Sequence, residues 1–117
     1  MKFVLGFLLL GLFAASSRAQ SSTNDGNYLL DSCRITIQHM DGTEPQSAFD
    51  SFRDGTCMGI VSGVSFSSPK VCPTEGVKLR QSIRVVYKYL QDHPERLNLR
   101  DAQLVEEALA HAFPCKS

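Results

Sequence analysis

The sequence has 117 residues, of which 43% are hydrophobic, and its 12 basic side chains are balanced by 12 acidic ones. A chain of this length makes one domain rather than two. Because affinity for nucleic-acid phosphates comes from clustered lysine and arginine, the charge balance argues against a nucleic-acid-binding protein.

The first 19 residues have the pattern of a secretory signal peptide. Lys2 gives a basic start, an apolar run extends from Phe3 to Phe13, and Ser17-Arg18-Ala19 ends in small residues. Eleven apolar residues are too few to cross a membrane, which needs roughly 20, but they fit the h-region of a signal peptide. We expect cleavage after Ala19, which leaves a soluble, slightly acidic mature chain with no membrane association.

Four cysteines, Cys33, Cys57, Cys72 and Cys115, all lie in the expected mature chain. An even number of cysteines in an exported chain indicates two disulfides, with three possible connectivities. We favour Cys33–Cys57, which would join two successive helices, and Cys72–Cys115, which would tie a mid-chain loop to the C-terminus. No Cys-x-x-Cys pair occurs, so the spacing typical of zinc ribbons and thioredoxin-type sites is missing.

The first predicted helix covers about 27–40 and follows a flexible N-terminus at 20–26. Leu29, Cys33 and Ile37 recur every four residues and define its apolar face. Its candidate N-caps are Asn24 and Asp25. A turn at 41–45 separates it from the second helix. That helix covers about 46–64, and its expected apolar contacts come from Phe49, Phe52, Cys57, Ile60 and Val64.

Three glycines, Gly55, Gly59 and Gly63, recur every four residues inside the second helix. Each costs roughly 1 kcal/mol relative to alanine in a helix interior. The stripe that they form predicts that another helix approaches closely. We favour packing within the monomer core over a subunit interface.

The third helix, about 79–93, has the strongest apolar pattern of the sequence. Leu79, Ile83, Val86 and Leu90 form a stripe wide enough to require burial between neighbouring elements. On the opposite side, a basic stripe repeats every four residues and is expected to face solvent or an acidic partner. It consists of Arg80, Arg84 and Lys88.

Pro94 ends the third helix, and Asn98 is the predicted N-cap of a fourth helix at about 99–113. The buried side of the fourth helix is expected to consist of Ala102, Val105, Ala108, Leu109 and Ala112. No alternation typical of strands appears. The fold class predicted from these patterns is all-α, a compact four-helix domain stapled by two disulfides.

The sequence shows none of the common catalytic or metal-binding patterns. His39, His93 and His111 are far apart and have no metal-ligand spacing. No Gly-x-Ser-x-Gly elbow occurs, and every cysteine is expected to be in a disulfide. Glu106 and Glu107 are adjacent and point apart on a helix, which makes a weak acid/base pair. We therefore expect no enzyme activity, no cofactor and no metal.

Four sequence features together resemble the Rap/Tai immunity proteins of type VI secretion. They are a Cys-x-Gly-x-x-x-Gly helix at 57–63, a Cys-Pro loop at 72–73, a Tyr-Leu-x-x-His-Pro-Glu segment at 89–95 and a terminal Phe-Pro-Cys at 113–115. The resemblance covers most of the expected mature chain, and the domain is assigned to 27–117. It implies a periplasmic, all-helical homodimer that binds and blocks a cognate peptidoglycan amidase.

Such an activity requires an exposed, preorganised protein surface rather than a catalytic group. The candidate partner-binding residues are the basic stripe of the third helix and three side chains of the following connection. They are Arg80, Arg84, Lys88, Glu95, Arg96 and Asn98.

A second hypothesis is an exported helical stress chaperone, or another periplasmic binding protein without a toxin partner. A chaperone of this type would dissociate at acid pH and expose apolar surface through carboxylate protonation. Twelve acidic residues and three histidines permit this behaviour, but two disulfides would oppose the opening that it requires.

Overall fold

A computed structural model of the protein describes residues 24–116. This part of the chain forms four helices and one 3₁₀ turn and contains no strand, which confirms the all-α prediction. The elements are α1 (Gly26–Met40), α2 (Ala48–Ser67), α3 (Leu79–Asp92), the 3₁₀ turn Pro94–Arg96 and α4 (Asp101–Ala112). The predicted signal peptide lies outside the described residues. No helix within 24–116 is long and apolar enough to span a membrane.

All four helices contribute to one hydrophobic core, in which every helix contacts the other three. Three of the four residues in the predicted apolar stripe of α3, Ile83, Val86 and Leu90, are fully or almost fully buried. The fourth, Leu79 at the start of the helix, is 40% exposed. Burying each of the first three side chains contributes about 1.5–3 kcal/mol. The largest fully buried side chains from the other helices are Leu29, Val61, Leu104, Val105 and Leu109.

Polar groups define where α1, α2 and α3 begin. Asp25 caps α1 as predicted, and its carboxylate accepts a hydrogen bond from the Tyr28 N–H at 3.0 Å. The Ser47 hydroxyl caps α2 by accepting from the Asp50 N–H at 3.1 Å. At the start of α3, the Gln81 side chain accepts from the Lys78 N–H at 2.8 Å. These bonds satisfy N–H groups that have no partner within a helix.

The predicted start of α4 is wrong, since the helix begins at Asp101 and its N-cap residue is Arg100, not Asn98. The residues before α1 fix this position by pairing with the connection. Asp25 and Arg100 form an isolated antiparallel bridge, and the Asp101 N–H donates to the Asn24 carbonyl at 2.9 Å. The ordered body therefore includes 24–26, the last part of the segment expected to be flexible.

Both favoured disulfides are present. Cys33–Cys57 joins α1 to α2 inside the core, with 5.1 Å between the two Cα atoms. Cys72–Cys115 joins the loop between α2 and α3 to the C-terminal segment, with 4.9 Å between the Cα atoms. A hydrogen bond from the Cys72 N–H to the Phe113 carbonyl, at 2.9 Å, lies beside the second disulfide. The described residues contain no free cysteine.

Several residues expected in the core are at the surface. Phe49 and Phe52 are 57% and 65% exposed, and Ala102 and Ala112 are also exposed. On α2 the core contacts come instead from the face that carries Cys57 and Val61. On α4, Val105, Ala108 and Leu109 are buried as predicted, and Leu104 completes the buried face.

The expectation that the glycine stripe packs within the monomer core is wrong. Gly55, Gly59 and Gly63 are exposed. A Cβ atom built at any of the three meets nothing within 4 Å. The stripe lies on the side of α2 that faces away from the other helices.

Candidate partner-binding surface

The end of α3, the 3₁₀ turn and α4 bring several polar side chains to one surface. We call this surface the α3–α4 face. It consists of Lys88, Asp92, His93, Arg96 and His111, and we include the exposed connection residues Glu95 and Asn98, which flank Arg96 in sequence. It contains Lys88, Glu95, Arg96 and Asn98 of the predicted binding residues. Arg84 and Arg80, which lie about one and two turns before Lys88 on α3, are outside it.

Arg96 is held in place by an ion pair with Glu107 of α4. Its guanidinium donates to both carboxylate oxygens, with Nη2 2.6 Å from each of them and Nε 3.1 Å from Oε2. Two further side chains donate to the same carboxylate: the Tyr89 hydroxyl at 3.1 Å and the Gln103 amide at 3.2 Å. This network joins α3, the 3₁₀ turn and α4. The connection between α3 and α4 is therefore fixed at Arg96, near its midpoint.

The network changes the protonation equilibria of its members. Burial raises the pKa of Glu107, but hydrogen bonds from Arg96, Gln103 and Tyr89 outweigh burial, and the net pKa lies below its ordinary value. The hydrogen bond to Glu107 raises the pKa of Arg96. Burial, followed by the hydrogen bond and charge of Glu107, raises the pKa of Tyr89. Glu107 is therefore a charged, fully engaged carboxylate at neutral pH.

His93 is fixed where the chain leaves α3. Its ring stacks on Tyr89 with 4.1 Å between the ring centroids, and its Nδ1 lies 2.8 Å from the Tyr89 carbonyl. Beside it is a shallow groove of about 290 Å³, whose lining includes Val85, His111 and Ala112. The groove has the apolar walls and polar edges that can receive one anchoring side chain of a partner protein.

The predicted basic stripe is exposed, but each of its members is already bonded within the chain. The Arg84 guanidinium lies 2.6 Å from the Asp41 carboxylate, and Arg80 donates to the Met40 carbonyl at 3.2 Å. Lys88 lies 2.8 Å from the carboxylate of Asp92. The two arginines thus hold α3 against the C-terminal end of α1, and Lys88 is the stripe residue that belongs to the α3–α4 face.

A second polar cluster, which the sequence analysis did not identify, lies between α1 and α2. His39 Nδ1 is 2.6 Å from Asp54 Oδ2, and Glu44 lies 3.5 Å from the other ring nitrogen. The Thr36 hydroxyl donates to the Asp54 carbonyl at 3.2 Å. Asp54 is buried, and its Oδ1 has no hydrogen-bond partner among the described residues. Within 24–116, no group of three histidine, cysteine or acidic residues could hold a metal ion.

A match to a known protein family shows what kind of protein carries this surface. The family model described as Rap1a immunity proteins matches residues 25–115. The chain belongs to the Rap1a immunity protein family. The match spans all four helices and includes all four disulfide-forming cysteines. No curated protein matches the chain.

Because the chain belongs to the Rap1a immunity family, we look for its functional groups on the exposed surfaces. An immunity protein acts on a protein effector, so its functional groups lie where a partner protein can reach them. The Arg96–Glu107 network could not be found from sequence, because its partners are 11 residues apart and lie in different elements, the 3₁₀ turn and α4. The i, i+4 spacing of Gln103 and Glu107 on α4 was the single local signal.

Proposed function

We propose that the protein is exported through a signal peptide cleaved after Ala19 and protects the periplasm of the producing cell. There it binds and blocks a cognate peptidoglycan amidase delivered by type VI secretion. Membership of the Rap1a immunity family, over residues 25–115, is the observation that carries this proposal. The two disulfides support it further, because disulfides persist in oxidising compartments such as the periplasm.

In this proposal the α3–α4 face covers the catalytic cleft of the amidase. Arg96 and His93 are held by contacts within the chain before any partner binds. A surface that is already ordered loses less side-chain entropy on association, so more of the contact energy remains as affinity. The exposed Lys88, Glu95 and Asn98 then supply the charged and polar rim that selects one partner.

The complex needs more contact area than the polar residues of the α3–α4 face supply, and it needs a central anchor. A stable protein complex buries roughly 800 Å² on each partner and depends on a few central anchors. The groove beside His93 is the proposed centre, and it would receive an apolar or aromatic side chain from the rim of the amidase cleft. The polar residues around it would exclude water from that contact.

The test uses the purified mature protein and the cell-wall amidase encoded beside its gene, with affinity measured by calorimetry. We expect one chain to bind one amidase with a dissociation constant of about 1 μM or lower. Reversing Lys88→Glu together with Glu95→Lys leaves the net charge unchanged and should weaken binding about tenfold or more.

The matched control is Glu75→Lys with Lys78→Glu, which makes the same exchange in the loop between α2 and α3. We expect it to change the affinity less than about twofold, because rim charges away from an interface contribute little. If the wild-type protein does not bind at micromolar concentration, the immunity proposal is wrong. If both double variants weaken binding equally, the immunity role stands but the α3–α4 face is not the binding surface.

A further inference from the structure

A shallow pocket where α1, α2 and α3 meet brings two methionines beside one histidine. The pocket has a volume of about 260 Å³ and is lined by His39, Met40, Met58 and Arg80. Residues 24–116 contain no other methionine. Methionine commonly fills gaps in apolar cores, yet Met58 is 38% exposed. Two thioethers and an imidazole at one surface pocket form a set of metal ligands.

The helical spacing explains why these side chains lie together. His39 and Met40 are consecutive in the last turn of α1. Asp54 and Met58 are four residues apart on α2, so they share one face of that helix. Because the His39 ring contacts Asp54, it lies next to the turn that carries Met58. The buried disulfide between α1 and α2 fixes the separation of the two helices.

The His39 ring is held in the orientation that a metal-binding histidine needs. Its Nδ1 lies 2.6 Å from Asp54 Oδ2. Because a carboxylate oxygen accepts this hydrogen bond, the neutral ring carries its proton on Nδ1 and keeps a lone pair on Nε2. A carboxylate bonded to the far side of the imidazole is the usual partner of a metal-bound histidine. Nε2 has Glu44 at 3.5 Å, which is too long for a strong hydrogen bond.

The burial of Asp54 is an independent reason to expect a cation here. Its carboxylate is buried, and Oδ1 has no hydrogen-bond partner among the described residues. Burying a carboxylate is costly unless hydrogen bonds or a positive charge offset it. A cation on Nε2 of the attached ring would supply that charge. The C-terminal end of α1 adds to the effect, because the last carbonyls of a helix attract cations.

We propose that His39 Nε2 and the thioether sulfurs of Met40 and Met58 bind a copper(I) ion. Thioethers are soft ligands that select copper(I), whereas zinc takes thiolate, imidazole or carboxylate ligands and calcium takes oxygen ligands. The long, flexible methionine side chains adjust to the ion, while the imidazole is already fixed. Histidine spacing in the sequence did not predict this site, because two of its three ligands are thioethers.

The charges around the pocket match a singly charged ion. Arg80 lines the pocket, and its guanidinium donates to the Met40 carbonyl at 3.2 Å. Against this positive charge stand two carboxylates beside the histidine ring, those of Asp54 and Glu44. The balance is one negative charge, which copper(I) neutralises and a divalent ion would exceed. Arg84, one turn further along α3, is paired with Asp41.

The first test measures copper(I) binding to the purified mature protein in the absence of oxygen. The ion is added as its acetonitrile complex, so that no reductant reaches the disulfides, and the coloured chelator bicinchoninate competes for it. We expect one copper(I) ion per chain. Met58→Leu and Met40→Leu preserve side-chain volume, and each should raise the dissociation constant about tenfold or more, since even outer-shell changes alter metal affinity about 10–100-fold. Ile60→Leu, another apolar exchange on α2, is the matched control and should leave it unchanged.

The second test identifies the ligands by NMR. A mature chain that begins at Gln20 contains two methionines, Met40 and Met58, so labelling of the methionine methyl groups gives two signals. Both signals and that of the His39 Cε1–H should shift with added copper(I) and stop shifting at one equivalent. Zinc(II) should move neither methyl signal, because a thioether is not among its usual ligands.

Two outcomes would overturn the proposal. One is a wild-type protein whose methionine methyl signals do not move when one equivalent of copper(I) is added without chelator. The other is unchanged copper(I) affinity in both leucine variants, which would place the ion at other groups of the protein. The copper(I) proposal does not depend on the amidase proposal, since both measurements are made without any effector.

Discussion

Gly26 lies where two parts of the backbone approach each other closely. A Cβ atom there would overlap the Leu104 side chain and lie 2.9 Å from the Cα and carbonyl oxygen of Leu97. The backbone around it is also tied to the connection before α4, because the Gly26 N–H donates to the Leu99 carbonyl at 3.0 Å. Glycine is therefore required by contact rather than by an unusual backbone conformation.

Gly26→Ala should destabilise the protein by about 1–3 kcal/mol, because the added methyl group forces the start of α1 away from the connection. The control is Gly55→Ala, where a Cβ meets nothing and alanine favours the helix by roughly 1 kcal/mol. Urea unfolding at low concentration, where association does not contribute, measures both changes. Equal stability of the two variants would contradict the close contact at Gly26.

Glu107 gives the stability of the α3–α4 face a pH dependence. The Arg96, Gln103 and Tyr89 hydrogen bonds hold the pKa of Glu107 below its ordinary value in the folded state, despite the opposing effect of burial. The unfolded state, with an ordinary glutamate pKa of about 4.3, binds the proton first. The stabilisation is thus complete above about pH 5 and is lost as pH falls through the folded-state pKa.

The Glu107→Gln substitution should remove this pH dependence of the stability. We expect the variant to melt at a lower temperature than the wild type at pH 7, with the difference shrinking as the pH falls below about 5 and the wild-type carboxylate becomes protonated. Glu75→Gln in the exposed loop is the control and should follow the wild type throughout. A difference between Glu107→Gln and the wild type that stays constant over this range would show that the network does not act through the charge of Glu107.

At the level of the helices, the two disulfides differ in their environment. The sulfurs of Cys33 and Cys57 lie in fully buried residues, whereas Cys72 and Cys115 are exposed. Accessibility controls thiol exchange, because the attacking thiolate must reach a sulfur atom. The bond between the loop and the C-terminus should therefore be the one that reductants reach first.

Mild dithiothreitol followed by alkylation and peptide mass spectrometry should show Cys72 and Cys115 modified while Cys33 and Cys57 remain joined. Replacing both members of a pair by alanine should cost roughly 3–4 kcal/mol for either disulfide on the chain-entropy account. For the buried pair a cavity cost adds to this. Prior reduction of Cys33–Cys57 would contradict the burial of that bond.

Repeating apolar residues were enough to predict the four helices but not the orientation of each one. On α3 the stripe of Ile83, Val86 and Leu90 is unambiguous, and the prediction was confirmed. On α2 apolar and small residues surround the helix, so periodicity could not show that Phe52 faces solvent. The start of α4 depends on pairing between Asp25 and Arg100, two residues far apart in sequence.

The candidate surface was only partly predicted, because some of its contacts join residues that are distant in sequence. Exposure of Lys88, Glu95 and Asn98 followed from helix periodicity and from their position in a connection, and the structure places them at the surface. Local sequence could not show that Arg96 is anchored by Glu107 and Tyr89, since that contact exists only after α3 and α4 have packed. The binding role of these residues stays a prediction.

For the whole molecule, the proposed export can be tested together with the disulfides, because disulfides persist in oxidising compartments. We expect protein recovered from the periplasm to begin at Gln20, because the residues before it fit a cleavable signal peptide. Intact-mass analysis of the recovered protein checks the cleavage site and, by the loss of four hydrogen atoms, both disulfides. A protein that keeps its first 19 residues, or that carries four free thiols, would contradict the proposed localisation.

The most direct test of the immunity role is a titration of amidase activity on peptidoglycan with the purified mature protein. We expect amidase activity to fall linearly and to reach its floor at one chain per amidase, because a tight complex covers the cleft. The Lys88→Glu, Glu95→Lys variant should require a clear excess to reach the same floor. Full amidase activity at a tenfold excess of the wild-type protein would contradict the account.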